Sequence, residues 1–188
     1  VRGNPTFTYH VCWLGCEHQG RLLRIIHDDG EQRGPPWTLQ NYVAVNAYLN
    51  CRGSMSKIKV HQRLASLIVE KCLRINENDN VTIFLYPRHI PLAEEIAHEC
   101  FRKGADVLLN LYTDNYYLSY MNELSVDSLR QPSVFCKILS ENSTAQVWLE
   151  GLEDPRIFKK IPAEKSDAAG EGENKAHAPY YKKVRSIG

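Results

Sequence analysis

The sequence predicts an α/β fold: a three-layer domain with a mainly parallel sheet and helices on both faces. Three observations predict it. Val81–Tyr86 (VTIFLY) is short, β-branched and aromatic, and apolar on both sides except at Thr82; this is the pattern of a strand covered on both faces. Val107–Leu111 is a second apolar run of strand length. Between them Ala93, Ile96, Ala97, Cys100 and Phe101 recur as the buried stripe of an amphipathic helix. A strand, a crossover helix and a second strand of these lengths make a βαβ unit, with parallel strands and a right-handed crossover.

Each element has a physical boundary. Before the first strand, Leu64, Leu67, Ile68, Cys72 and Ile75 fall at helical spacings. Asn76 to Asn80 end that helix, because Asn and Asp side chains bond nearby backbone and favour turns. Pro91 suits the first turn of the crossover helix, Glu94 and Glu95 favour its positive end, and Gly104 suits the position just past its C-terminus. Thr113 or Asp114 caps a helix running to about Leu124, with Tyr116, Tyr117, Tyr120 and Leu124 on a broad face. Such an aromatic face reads as a domain or subunit contact. Ser125 and Asp127 start a short helix that Pro132 breaks, Val134–Leu139 is ambiguous between helix and strand with helix favoured, and Ala145–Leu149 reads as a third strand. Asp154 and Pro155 open a turn through Phe158, and Pro162 begins a further helix. Ala168–Ala178 carries Gly170, Gly172 and few apolar residues, so it is expected to be exposed and mobile, with Tyr180, Tyr181 and Val184 as a weak anchor.

Composition narrows the function classes. The net charge is +1 with the two signs intermixed, which argues against a nucleic-acid footprint or an acidic membrane surface. No apolar run is long enough to span a bilayer and no signal-peptide pattern is visible at Val1. Among Cys12, Cys16, Cys51, Cys72, Cys100 and Cys136, two fall on buried helical stripes, where thiols serve as small apolar groups. A reduced, cytoplasmic protein is the expectation.

Candidate chemistry is sparse. The loop after the first strand is Pro87-Arg88-His89 rather than a glycine-rich turn, so a dinucleotide cofactor is not expected. Arg88 and His89 do follow the carboxyl end of a strand, where open α/β sheets bind ligands; they are a weak candidate contact for an anion, and an ordinary polar loop is the simpler reading. Glu94, Glu95, His98 and Glu99 superficially suggest metal ligation, yet no His-Glu-x-x-His pattern is present and a solvated helix face is simpler. His10, Cys12, Cys16 and His18 are metal-ligand types crowded into one short stretch, which a shared tetrahedral site would fit only through a tight loop.

The run HQRLASLIVEKCLRINENDNVTIFLYPRHIPLAEEIAHECFRKGADVLLNLY resembles the opening of the M29 (AmpS, thermophilic-type) aminopeptidases. The matching residues are Leu64, Leu67, Leu73, Ile75, Asp79, Val81, Pro91, Leu92, Gly104 and Ala105, and AQVWLEGLEDPRIFKKIPAEK is similar to the family's next strand and the segment after it. The family's usual Pro-Gly before Asp79 is replaced here by Glu77-Asn78. The resemblance implies metal-dependent removal of N-terminal residues from peptides, two divalent ions (zinc, cobalt or magnesium) in the full-length family, and a homodimer. It also implies that the ion ligands lie in a C-terminal catalytic domain beyond Gly188. No catalytic or metal-binding residue is therefore carried over to this chain, no cofactor is expected on it, and alone it is expected to be inactive. In that family the first helix lies near the N-terminus. Residues 1–54 accordingly read as an irregular extension ahead of a natural start at Met55, and residues 55–188 as the N-terminal α/β domain; a native, poorly patterned arm is the alternative. The competing function class is a free-standing, non-catalytic α/β binding or scaffold module.

Overall fold

The computed structural model describes residues 9–14, 21–27, 42–43, 57–151 and 153–185. The strands are β1 (Tyr9–Leu14), β2 (Arg21–His27), β3 (Tyr42–Val43), β4 (Asn80–Leu85), β5 (Asp106–Leu111) and β6 (Ala145–Glu150). The helices are α1 (Lys57–Leu67, continued by a π-turn over Ile68–Cys72), α2 (Ile90–Arg102), α3 (Asp114–Glu123), α4 (Val126–Leu129), α5 (Val134–Asn142) and α6 (Ala163–Arg185). The sheet runs β3-β1-β2-β6-β4-β5. β4 is parallel to both β5 and β6, and β2 is parallel to β6, while β1 pairs antiparallel with β2 and β3.

β4 lies inside the sheet between β6 and β5, its residues are apolar in both directions, and every position from Val81 to Leu85 is buried. Val81, Ile83 and Leu85 join Leu64, Ile68, Leu92, Ile96 and Val147 in one core beneath α1 and α2. On the opposite face the Thr82 hydroxyl meets Ser143 Oγ at 2.7 Å, and Phe84 stacks on Trp148 at 4.2 Å. Helices thus cover β4 on both sides, as its composition requires.

The turns follow their residues. Ala105 N–H donates to Cys100 O and Gly104 N–H to Phe101 O, the paired bonds of a Schellman ending. Gly104 sits at φ +80°, and a Cβ there would lie 3.2 Å from Glu77 Cγ. In the turn before β4, Asn78 takes φ +66°. Asn adopts the left-handed region more readily than most non-glycine residues, so it can stand where the M29 pattern has Gly. The Asp79 carboxylate then accepts from Asn76 N–H at 2.7 Å.

Several expectations are corrected. Residues 1–54 do not read as strand-forming, yet they supply β1, β2 and β3; the aliphatic run Leu22-Leu23-Arg24-Ile25-Ile26 suits a strand. The π-turn after Leu67 adds a residue to the helical register. It buries Val69 and Leu73 and leaves Leu67 and Cys72 half-buried. Phe101, assigned to the stripe of α2, is 55% exposed. Ala168–Ala178 lies inside the 23-residue helix α6, with Ala168, Ala169, Ala176, His177 and Tyr180 buried. Its small residues permit close approach: the place a Cβ of Gly172 would take is 2.2 Å from Leu129 O. Pro179 lies within α6, and the next N–H, of Tyr180, donates to Ser140 Oγ of α5 at 3.1 Å.

Candidate functional site at the carboxyl end of the sheet

The loops after β4, β5 and β6 gather at the carboxyl ends of three parallel strands, the usual ligand side of an α/β sheet. After β4, Pro87–His89 forms a single 3₁₀ turn that leads straight into α2. His89 is buried at 2% exposure, and its N–H donates to Tyr86 O at 2.9 Å; Arg88 is exposed. The structure therefore separates the two loop candidates, with one side chain packed inward and one toward solvent.

Aromatic rings line the same end. Tyr112, directly after β5, lies 6.2 Å from Tyr86 and 6.0 Å from Tyr116. Its hydroxyl accepts from Asn110 Nδ2 at 3.1 Å. Burial, and then the neighbouring Cys136, push the Tyr112 phenol well above its ordinary value. Burial followed by Glu173 raises Tyr117 and Tyr120 as well. These phenols stay protonated at neutral pH and act as hydrogen-bonding aromatic surface rather than as bases. Tyr117 and Tyr120 pack on Met121, Leu129, Ala168 and Ala169, whereas Tyr116 is 58% exposed. The aromatic face foreseen on this helix is thus divided between an internal contact with α6 and open surface.

Asp114 was foreseen only as a helix cap, and Thr113 takes that role by accepting from Tyr116 N–H. The Asp114 carboxylate instead accepts from Glu153 N–H at 3.0 Å and Asp154 N–H at 2.8 Å, tying the loop after β6 to the start of α3. Asp154 receives Arg156 through Nε, Nη2 and the backbone N–H, which hold its carboxyl below the usual range. Partners 39 and 40 residues away carry no local signal.

His177 was also missed. It is 4% exposed, with its ring 5.1 Å from that of Trp148, 5.9 Å from Phe84 and 6.1 Å from Tyr181. Its Nδ1 has no hydrogen-bond partner, and burial lowers its pKa below the ordinary 6.5. Gln146, whose Oε1 accepts from Trp148 Nε1, likewise leaves its buried Nε2 without a partner.

Metal ligation finds no support among the described residues, where no three His, Cys, Asp or Glu side chains come together. On α2, Glu94 and His98 are exposed, Glu95 accepts from Gln62 of α1, and Glu99 pairs with Arg102. The cluster of His10, Cys12, Cys16 and His18 falls on side chains outside those described. Cys72, Cys100 and Cys136 are thiols rather than disulfides. No described helix is long and apolar enough to cross a membrane.

The family model described as thermophilic metalloprotease (M29) matches residues 58–187. This chain belongs to the M29 peptidase family. A search of curated proteins gives no match. Among solved structures, the wild-type AmpT of Thermus thermophilus is similar at 14% identity with a TM-score of 0.55. The likeness covers 70% of this chain and 34% of that one, so this M29 chain spans about a third of that protein's length. At such identity the likeness shows the shared fold. The matched span begins in α1 and includes β4, α2, β5 and β6; β1, β2 and β3 lie outside it.

Proposed function

We propose that this chain is the N-terminal α/β portion of a metal-dependent aminopeptidase that removes N-terminal residues from peptides. The match of the M29 model across residues 58–187 carries the reading. Metal-assisted peptide hydrolysis needs a cation that polarises the scissile carbonyl and makes a bound water nucleophilic. Each such ion takes about three protein ligands on rigid elements. The described residues do not fit that requirement. In this reading the ions, whether zinc, cobalt or magnesium, and the groups that hold them belong to further sequence, and the 188-residue chain alone is inactive. The active protein is a cytoplasmic homodimer in this reading, in keeping with the thiols Cys72, Cys100 and Cys136. Within this portion, the loop of Arg88 and His89 after β4 is the weak candidate for a ligand contact in this reading.

The test is to supply the purified chain with Co²⁺, Zn²⁺ or Mg²⁺ and assay amino-acid amides and p-nitroanilides. No turnover by this chain is expected, with metal-dependent turnover by a longer product that contains it. Metal-dependent turnover by the chain itself, abolished by His89→Ala or His98→Ala, would place the active site here and overturn the reading. An inactive longer product that still bound peptides would favour the non-catalytic module.

A further inference from the structure

The two faces of the sheet are built differently. Under α1 and α2 the core is one apolar cluster. On the other face Thr82, Ser140, Ser143, Gln146 and His177 are all buried between β4, β6, α5 and α6. Buried polar groups need hydrogen-bond partners, and most of these have them. Ser143 Oγ donates to Leu139 O and meets the Thr82 hydroxyl, and Ser140 Oγ accepts from Tyr180 N–H. Among the described residues two buried side-chain atoms have no such partner, Gln146 Nε2 and His177 Nδ1. Their residues are 0% and 4% exposed.

Both atoms belong to side chains that touch the same indole. An indole N–H can only donate, and Trp148 Nε1 lies 3.3 Å from Gln146 Oε1. That contact fixes the Gln146 amide, whose other end is the NH2, a donor. The His177 ring stands 5.1 Å from that of Trp148 and 5.9 Å from that of Phe84. Neither ring can serve the bare atoms, since Phe84 has no polar atom and the single donor of Trp148 is spent on Gln146. Burial also keeps the imidazole neutral. A ligand matched to a neutral amide donor and a neutral ring nitrogen is itself neutral, and both accepts and donates. In so closed a place it is small. Across the β4–β6 pairing from Gln146, Thr82 gives its proton to Ser143 and keeps an acceptor position on the same face.

We propose that the seam beside Trp148 is an internal hydration site, in which ordered water accepts from Gln146 Nε2 and donates to His177 Nδ1. Buried water of this kind typically makes about three hydrogen bonds and is costly to remove, and Thr82 Oγ1 is the further acceptor in the same layer. Left bare, the amide and the imidazole would each carry the full desolvation penalty of an unmade bond. The water ties α6 to β6 through a bond that the two side chains do not make directly, beside the Tyr180–Ser140 bond that ties α6 to α5. It also sets the imidazole tautomer, with the proton on Nε2 and the lone pair on Nδ1. The site involves neither metal nor peptide, so this inference stands or falls apart from the peptidase reading.

The experiment is NMR on the ¹⁵N-labelled full 188-residue chain, reading magnetisation transfer from water and the imidazole nitrogen shifts. The expected result is long-lived water cross-peaks to the Gln146 side-chain NH2 and to the His177 ring protons, with the shifts of a ring protonated at Nε2. His177→Phe removes one partner and should abolish the water cross-peak at the Gln146 NH2, while amide-exchange protection of β4 and β6 shows the fold intact. Absence of water cross-peaks at Gln146 in the parent chain overturns the proposal, as does a ring protonated at Nδ1. A Gln146 cross-peak undiminished in His177→Phe overturns it too, because the two groups would then be hydrated separately. Should His177→Phe lose its exchange protection, the cross-peaks and the tautomer of the parent chain decide the matter, and both must be present for the site to stand.

Discussion

Two glycines in α6, two residues apart and on different faces, make opposite predictions. Gly170 has nothing within 4 Å of where a Cβ would stand. Alanine is better than glycine in a helix interior by about 1 kcal/mol, so Gly170→Ala should stabilise the protein by about that amount. A Cβ at Gly172 would lie 2.2 Å from Leu129 O and 2.8 Å from Gln131 O. Both obstacles are backbone, so neither can rotate away; α4 and α6 must move apart by about 1 Å to restore ordinary contact. Overpacking typically costs about 1–3 kcal/mol, and with two backbone atoms in the way the upper end applies, while the gain in helix propensity offsets only about 1 kcal/mol of it. Gly172→Ala should therefore lose about 2 kcal/mol. For a chain of this size that corresponds to a Tm lower by about 4–8 °C, against about 2–4 °C higher for Gly170→Ala. Thermal and urea unfolding followed by circular dichroism measure both. Equal stabilisation by the two alanines would refute the close packing of α6 on α4, and with it the covered second face of the sheet.

Three more outcomes follow from single residues. His177 is held neutral in the fold below its ordinary pKa of 6.5, so the unfolded chain binds more protons once pH falls under about 6.5. Stability is then full above that value and declines as pH drops toward the folded pKa; urea midpoints at about pH 7.5 and pH 5 should show this, and His177→Phe should shrink the difference. A pH response unchanged in His177→Phe would contradict the burial. At the Thr82–Ser143 contact, Ser143 Oγ donates to Leu139 O at 2.6 Å, so Thr82 donates to Ser143. Ser143→Ala strands the buried Thr82 hydroxyl and should cost about 1–3 kcal/mol, more than the ~1 kcal/mol of Thr82→Val; the reverse order in denaturant titrations would rule out this donor assignment. Gly104→Ala should cost about 1–2 kcal/mol, because φ +80° is left-handed backbone, and a neutral effect on Tm would argue against the Schellman ending.

The parts legible in the sequence are those whose signals are local. β4 is apolar on both faces because both faces are covered, and Gly104 and the Asn76–Asn80 turn mark the ends of neighbouring helices through their own backbone preferences. The packing of α6 was hidden because Ala168, Gly172 and Ala176 make contact by being small; low apolar content reads as solvent exposure unless the opposing helix is known. β5 was identified as a strand, but Leu108, Leu109 and Leu111 look the same in sequence whether a neighbour covers them or not. At the candidate site, Arg88 and His89 are adjacent in sequence yet differ in burial, which the 3₁₀ turn decides. Asp114 and His177 acquire their settings from Glu153, Asp154, Phe84 and Trp148, all remote along the chain.

The proposal that matters most is that residues 57–185 of this M29 chain form the α/β layer of a metallopeptidase and do not themselves hold its ions. Titration with Co²⁺, followed by ligand-field absorption, tests it most directly, because a built site gives a saturable spectrum set by its ligand geometry. The account predicts no saturable spectrum attributable to residues 57–185, and no change between the parent chain and the His89→Ala, His98→Ala and His177→Ala variants. A stoichiometric Co²⁺ spectrum lost in any one of those variants would contradict it.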